Sequence, residues 1–326
     1  MNLRRRRFLN LTLATMTAPV VLRTAAAEAY PSQTVRLVVG FPPGGPVDIA
    51  GRIIAPCLSE RLGQPFVIDN QPGESGNAAT RSVVKAEPDG YTLLVCGPVN
   101  VINTTLFEGL DFDFGRDITP VVSLYRVPLV IEVHPSVPVR TVPELIAFAR
   151  SHPGTLKVGY AGQGTPQHIG IELFKMMTGV DLTLVPYLGS TPALADLLAG
   201  SIHVMFDPMP SSIAHIKSGK LIPLAVTSLT RSANLPDVPV AADTVPGYEA
   251  GSWFGIGAPR GTSKAVVEKL NGEVNAALSN PGIKVRLSEL GGTVIVGSPA
   301  QFATFVTRET EKYAAAMRSA GIPAKR

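Results

Sequence analysis

Four short stretches hold the residues best suited to chemistry: FPPGGPVD (Phe41–Asp48), QPGESGN (Gln71–Asn77), GQGTPQH (Gly162–His168) and YLGSTP (Tyr187–Pro192). Each follows a strand-like apolar run and precedes a helix-like one. Glycine lets the backbone approach a bound group closely, proline fixes the loop, and Ser/Thr hydroxyls add donors. Free N–H groups at a helix start, with the positive end of its dipole, suit an anion without any arginine. Gly44 and Gly45 therefore read as an amide nest, with Asp48 near the helix start. The alternative is a tight strand-to-helix turn and nothing more.

Catalytic motifs are mostly missing. GESGN (Gly73–Asn77) only approaches the nucleophile elbow G-x-S-x-G. No Walker lysine occurs, and GQGTPQ departs from G-x-G-x-x-G at its last position. The five histidines, His134, His152, His168, His203 and His215, lack metal-ligand spacing. Asp111 and Asp113 flank Phe112 in a polar loop and read as a solvated turn. The expectation is a protein with no cofactor, no metal and no catalytic residue.

The elements that must position these loops follow a βαβ rhythm, which predicts an α/β fold with mainly parallel sheets flanked by helices. TVRLVV, PFVIDN and YTLLVC are each followed by a helix-like run, with Pro56 expected to kink or break the first helix. The rhythm restarts after the long extended run ITPVVSLYRVPLVIEVHP. TVPELIAFARSH carries a capping box at Thr141 and Glu144; the strands LKVGYA, LTLVPY and SIHVMF follow, each with its helix. A second extended run, LIPLAVTS, suggests a middle domain inserted through two crossings. The expected division is 30–124 with 226–326 as one lobe and 125–225 as the other. The 326 residues, 45% hydrophobic with 31 Gly and 29 Pro, suit two folded domains rich in tight loops.

Residues 1–29 read as a cleavable export signal: RRRRFLN, a mildly apolar LNLTLATMTAPVVL, and AAAEA for cleavage after Ala29. Arg5–Leu9 also fits the twin-arginine pattern, so the route is twin-arginine or Sec. Cleavage takes five of 29 basic and one of 25 acidic residues, leaving 24 of each. A neutral mature chain gives no ground for nucleic-acid binding. Cys57 and Cys96 could pair in an oxidising compartment or remain two small thiols.

The run VRLVVGFPPGGPVDIAGRIIAPCLSERLGQPFVIDNQPGESGNAAT resembles the Bug-type periplasmic substrate-binding proteins of tripartite tricarboxylate transporters. PDGYTLL, GQGTPQHI, VPYLGSTPALADLLAGSIHVMFDPMPS, IKSGKLIPLAVTS, LPDVPV and SWFGIGAPRGT extend the likeness in the family's order. The resemblance implies a two-lobed, type II-like periplasmic binding fold that closes over a small carboxylate held by backbone amides and waters. It implies a monomer that docks on a large and a small membrane subunit. It places ligand contacts at Phe41, Pro43, Gly44, Gly45 and Asp48 on one lobe. Gly162, Gly164, Thr165, His168, Tyr187, Gly189, Ser190 and Asp207 follow on the other. Asp207 could meet a ligand amine or cap a turn; His168 could be structural; Trp253 and Phe254 could wall the pocket or pack at the hinge. Pro98 and Glu74 depart from the family pattern and bear on the far end of the ligand. A ligand-dependent sensor is the alternative function, and a periplasmic enzyme the more remote one.

Overall fold

The computed structural model describes residues 30–325; the expected export signal lies outside them. Strand β1 (Val35–Val39) leads to helix α1 (Pro46–Leu62). Next come β2 (Phe66–Asn70), a 3-10 turn (Glu74–Gly76), α2 (Asn77–Val84), β3 (Thr92–Cys96), α3 (Pro98–Leu106) and the short α4 (Phe114–Asp117). The long β4 (Ile118–Val133) opens the second half, followed by α5 (Val142–Ser151). Three strand–helix pairs succeed it: β5 (Lys157–Tyr160) with α6 (Pro166–Thr178), β6 (Thr183–Pro186) with α7 (Ser190–Leu198), and β7 (Val204–Pro208) with α8 (Met209–Lys217). After β8 (Ile222–Val226) come β9 (Gly251–Pro259), α9 (Lys264–Ser279), α10 (Pro281–Glu289), β10 (Thr293–Val294) and α11 (Pro299–Ser319).

The sheet order is β2-β1-β3-β9-β4-β7-β5-β6, with β8 and β10 paired to β4. Strands β1, β2 and β3 are parallel, as are β5, β6 and β7; β9 and β4 join them antiparallel. The two halves therefore share one plan. β9 runs antiparallel beside β3 in the first, and the end of β4 runs antiparallel beside β7 in the second. Parallel strands covered on both faces need near-continuous apolar runs, which is why VRLVV serves as a central strand.

β4 belongs to both halves. It pairs with β9 from Ile118 to Pro128, then with β7 and β8 from Leu129 to Val133. Register shifts near Pro120, Ser123 and Ile131 bend it from one sheet into the next. Its side chains alternate between two cores. Leu129, Ile131 and Val133 join α5, α6 and Tyr248; Val130 joins α7 and α8. Glu132 shares the parity of Val130 and is fully buried.

Some expectations need correction. The break at Pro56 does not occur: α1 is one helix from Pro46 to Leu62, with Ile53, Ile54, Ala55 and Leu58 around the proline buried in the core. The run LIPLAVTS is not itself the return crossing: β8 pairs with the second half of β4, and residues 227–250 stay with that half. Leu235, Val238 and Val240 pack with Val130, and Val245 and Tyr248 with Leu129, so the chain returns at β9. At Thr141 the hydroxyl accepts from the Glu144 amide, as the capping box requires, but the Glu144 carboxylate accepts from Arg140 N–H. Both cysteines are free.

Thr227 ties the crossings together. Its hydroxyl accepts from Leu129 N–H (2.8 Å) and lies 2.6 Å from Ala250 O, to which it donates, while its own amide donates to Leu129 O (3.0 Å). Thr227→Val keeps the shape and leaves buried backbone groups without partners. We expect a loss of about 1–3 kcal/mol in stability, read as a lower melting temperature, with Thr227→Ser close to the parent.

Candidate functional site

Five helix N-termini meet at one pocket of about 40 Å³. The first half contributes Pro46 and Val47 of α1, and Gly97, Pro98 and Val99 at the start of α3. The second contributes Thr165, Pro166 and Gln167 of α6, Ser190 of α7, and Pro208 just ahead of α8. Ser252 and Phe254 of β9, Phe41 and Ala161 complete the lining. No ionisable side chain is among the lining residues.

The amides explain what such a pocket can hold. α1, α3 and α6 each begin with proline, which has no N–H and is preset for a first helical turn. The next residues, Val47, Val99 and Gln167, carry first-turn amides that have no acceptor among the described residues. These N–H groups and the helix dipoles favour negative charge at the point where the axes meet. The side chains supply less. Thr165 donates to Gly162 O (2.7 Å), Ser190 to Asp207 (2.8 Å), and Gln167 to both Ser190 and Asp207. Ser252 is the lining residue whose hydroxyl keeps a hydrogen free of these bonds.

The expected nest at Gly44 and Gly45 has another occupation. Gly44 N–H donates to Asp48 Oδ2 (2.8 Å) and Gly45 N–H to Pro42 O (3.4 Å). Asp48 is buried, and also accepts from Arg52 (2.7 Å) and Asn70 (2.9 Å), while Asn70 holds Phe41 O (3.0 Å). Burial alone would raise the Asp48 carboxyl; the donors Arg52, Gly44 and Asn70 outweigh it and hold it below the usual carboxylate range. Asp48 shapes the loop that aims Val47 and does not line the pocket.

Of the residues placed in the site from sequence, Phe41, Thr165 and Ser190 line the pocket. His168 is buried, stacked on Tyr160 at 5.2 Å, and brought down to about 4 by burial with Lys325 and Lys175 nearby. Asp207 stands one layer behind, accepting from Gln167, Ser190, Ser211 and Ser212. The Tyr187 hydroxyl donates to Asp196 (2.6 Å). Phe254 walls the pocket, and Trp253 packs on Phe302 and Phe305. Glu74 pairs with Arg81.

Pro43, Gly162, Gly164 and Gly189 form the contact across the pocket instead. Thr191 donates to Pro43 O (2.9 Å). A side chain on Gly189 would start 2.7 Å from Pro42, and one on Gly164 2.2 Å from the Asn103 side chain. These glycines let the halves approach.

A wider groove of about 490 Å³ runs behind β9, between Arg126, Ser228–Asn234 and Lys312. No residue of a first helical turn lines it, so it has no comparable donor field.

Residues 50–322 match the family model described as "Tripartite tricarboxylate transporter family receptor". The chain belongs to this family. Protein BugT of Bordetella pertussis is 33% identical over 319 residues, covering 97% of this chain and 96% of that one. Among solved structures, Rpa4515 of R. palustris with adipate is 41% identical with a TM-score of 0.89, covering 91% of this chain and all of that one. MatC of Rhodopseudomonas palustris with bound malate is 32% identical with a TM-score of 0.84, covering 88% and 99%. The fold of this family receptor is the two-lobed periplasmic binding architecture, and the pocket lies between the halves.

Val47, Val99, Gln167 and Ser252 escaped the sequence reading. For the first three the signal was present: a proline directly after a strand-ending loop, which leaves the following amide as the first free donor.

Asp48→Ala should release Gly44, Arg52 and Asn70 together and cost about 1–3 kcal/mol in stability. The Asp48 carboxyl is held below its ordinary 3.8, so its contribution is present above that value and lost as pH falls through the folded-state value. The melting temperatures of the two proteins should therefore converge in acid. A constant difference down to low pH would contradict this role.

Proposed function

We propose that the protein is a periplasmic receptor that captures a small carboxylate between its lobes and presents it to a membrane transporter. One observation carries this reading: several helix N-termini with unengaged amides converge on a pocket that no ionisable side chain lines. Such a site is complementary to a carboxylate and costs no buried cation. Family membership supports the transport role, and the adipate and malate held by the two related R. palustris proteins support the ligand class.

Binding here requires no turnover. Of the pocket hydroxyls, Thr165 donates to Gly162 O and Ser190 to Asp207, Ser252 has no histidine among the pocket residues beside it, and His168 lies against Tyr160. We place one lobe at residues 31–125 with 251–326 and the other at 126–250, since the 227–250 segment packs with the second half. Closure about β4 and β9 supplies the differential affinity that transmits ligand binding to a partner. The partners in this reading are a large and a small membrane subunit. The mature chain acts as a monomer, exported through the twin-arginine or Sec route by a cleavable signal at residues 1–29.

The test is a thermal-shift screen of residues 30–326 against succinate, adipate, malate, citrate, glutamate, nicotinate and aromatic acids, with neutral sugars as controls. A ligand at about 100 times its Kd stabilises by about 2.7 kcal/mol, which raises the melting temperature by a few degrees. One acid class should shift the wild type and shift Gly189→Val far less, because that side chain would start 2.7 Å from Pro42 and push the halves apart. Equal response to sugars and acids, or none to any acid in ligand-free protein, would overturn the carboxylate reading.

A further inference from the structure

Glu132 is a carboxyl in the middle of an apolar core. It is fully buried on β4, on the side of Val130 that faces α7 and α8. Oε1 lies 2.6 Å from Ser212 Oγ, and Oε2 has no partner among the described residues. The same Ser212 hydroxyl lies 3.0 Å from Asp207 Oδ2. A hydroxyl has one hydrogen and cannot donate to two carboxylates. Asp207 has two further committed donors in Gln167 and Ser190, and the Ser211 hydroxyl, which also lies 2.9 Å from Pro208 O, stands beside it as well, the surroundings of an ionised acceptor. Glu132 has only Ser212. The count closes when one of the two carboxyls holds a proton, and the donors gathered on Asp207 put it on the other: Glu132 donates to Ser212, and Ser212 donates to Asp207.

We propose that Glu132 is a proton-holding positioning residue for the pocket, keeping Asp207 as the ionised anchor that orients Gln167 and Ser190 on the pocket wall. Asp207 needs its full set of donors to stay charged without solvent, and Ser212 can complete that set only while Glu132 is neutral. Both wall residues depend on it: Gln167 Nε2 and Ser190 Oγ donate to Asp207, and Gln167 Oε1 accepts from Ala161 N–H (2.7 Å). A second charge at Glu132 would stand beside the first with one hydroxyl between them.

The groups facing Glu132 are few. β7 presents Asp207, α8 presents Ser212, and β8 places Pro223 opposite in register. His215 and Lys217 sit on the last turn of α8, away from Ser212 near its start. Burial, then the field of Asp207, pushes the Glu132 carboxyl well above its ordinary 4.5. Burial also raises Asp207, against the opposing effect of its four donors. For Glu132 the folded state keeps a proton that the unfolded chain releases. Its favourable contribution is therefore full below about 4.5 and is lost as pH rises toward the folded-state value.

Only the last consequence, for affinity, rests on the proposed carboxylate function; the proton assignment is tested without ligand. Infrared spectra of ligand-free protein at neutral pH should show the carbonyl stretch of a protonated carboxylic acid. The band should vanish in Glu132→Gln and persist in Asp207→Asn. As pH rises from about 4.5 the wild-type melting temperature should fall more steeply than that of Glu132→Gln, whose amide donates to Ser212 at every pH. Affinity for adipate, used as the probe, should weaken on the alkaline side in the wild type and not in Glu132→Gln. No protonated-acid band in the wild type, its survival in Glu132→Gln, its loss in Asp207→Asn, or parallel melting profiles would overturn the proposal. Failure of adipate and every other acid to bind would count against the carboxylate function alone, since the infrared and melting results decide the proton assignment.

Discussion

A helix begins with N–H groups that no residue of the helix can satisfy, and this fold aims several of them at one point. That constraint organises the structure around the pocket. Without a compensating acceptor the amides of Val47, Val99 and Gln167 would repel one another's partial charges; with a carboxylate among them they become its binding shell. The surrounding side chains follow from this. Asp48 is held by Arg52, Asn70 and Gly44 and Asp207 by four donors, so neither acidic group reaches the space an anion would occupy. The loop glycines serve close approach between the halves more than they donate hydrogen bonds.

The same geometry makes the crossing region sensitive. β4 is at once the strand that carries the chain between halves and the strand that carries Glu132, while Thr227 fastens β4 to the start of the return at Ala250. A change in the charge of Glu132 would act on Asp207 and through it on Gln167 and Ser190, with no contact to ligand. In the proposed function, binding, closure and the ionisation of the second-half core would share a few neighbouring residues.

The βαβ rhythm was legible because apolar runs, glycines and prolines are local signals, although α1 and α6 start at Pro46 and Pro166, two residues before the starts that Asp48 and His168 suggested. The family likeness placed the loops on the pocket, where Phe41, Thr165 and Ser190 do line it. What the chain could not display locally was the assignment of individual hydrogens. Gly44 looks like an anion donor until Asp48, four residues on, takes its N–H. Thr227 and Leu129 lie 98 residues apart in the chain, and Glu132 and Ser212 lie 80 apart. Such pairs depend on sheet register, which no short stretch encodes. The continuity of α1 through Pro56 has the same origin, since buried neighbours override a local breaking signal.

In the proposed function, backbone amides at helix starts hold the ligand's charge. The most direct measurement is the amide-proton chemical shift of the 15N-labelled protein during titration with an acid that stabilises it. Hydrogen bonding to a carboxylate should move Val47, Val99 and Gln167 strongly downfield, with Gly44 and Gly45 nearly unmoved. Largest shifts at Gly44 and Gly45, or at lysine and arginine side chains with the three amides silent, would contradict it.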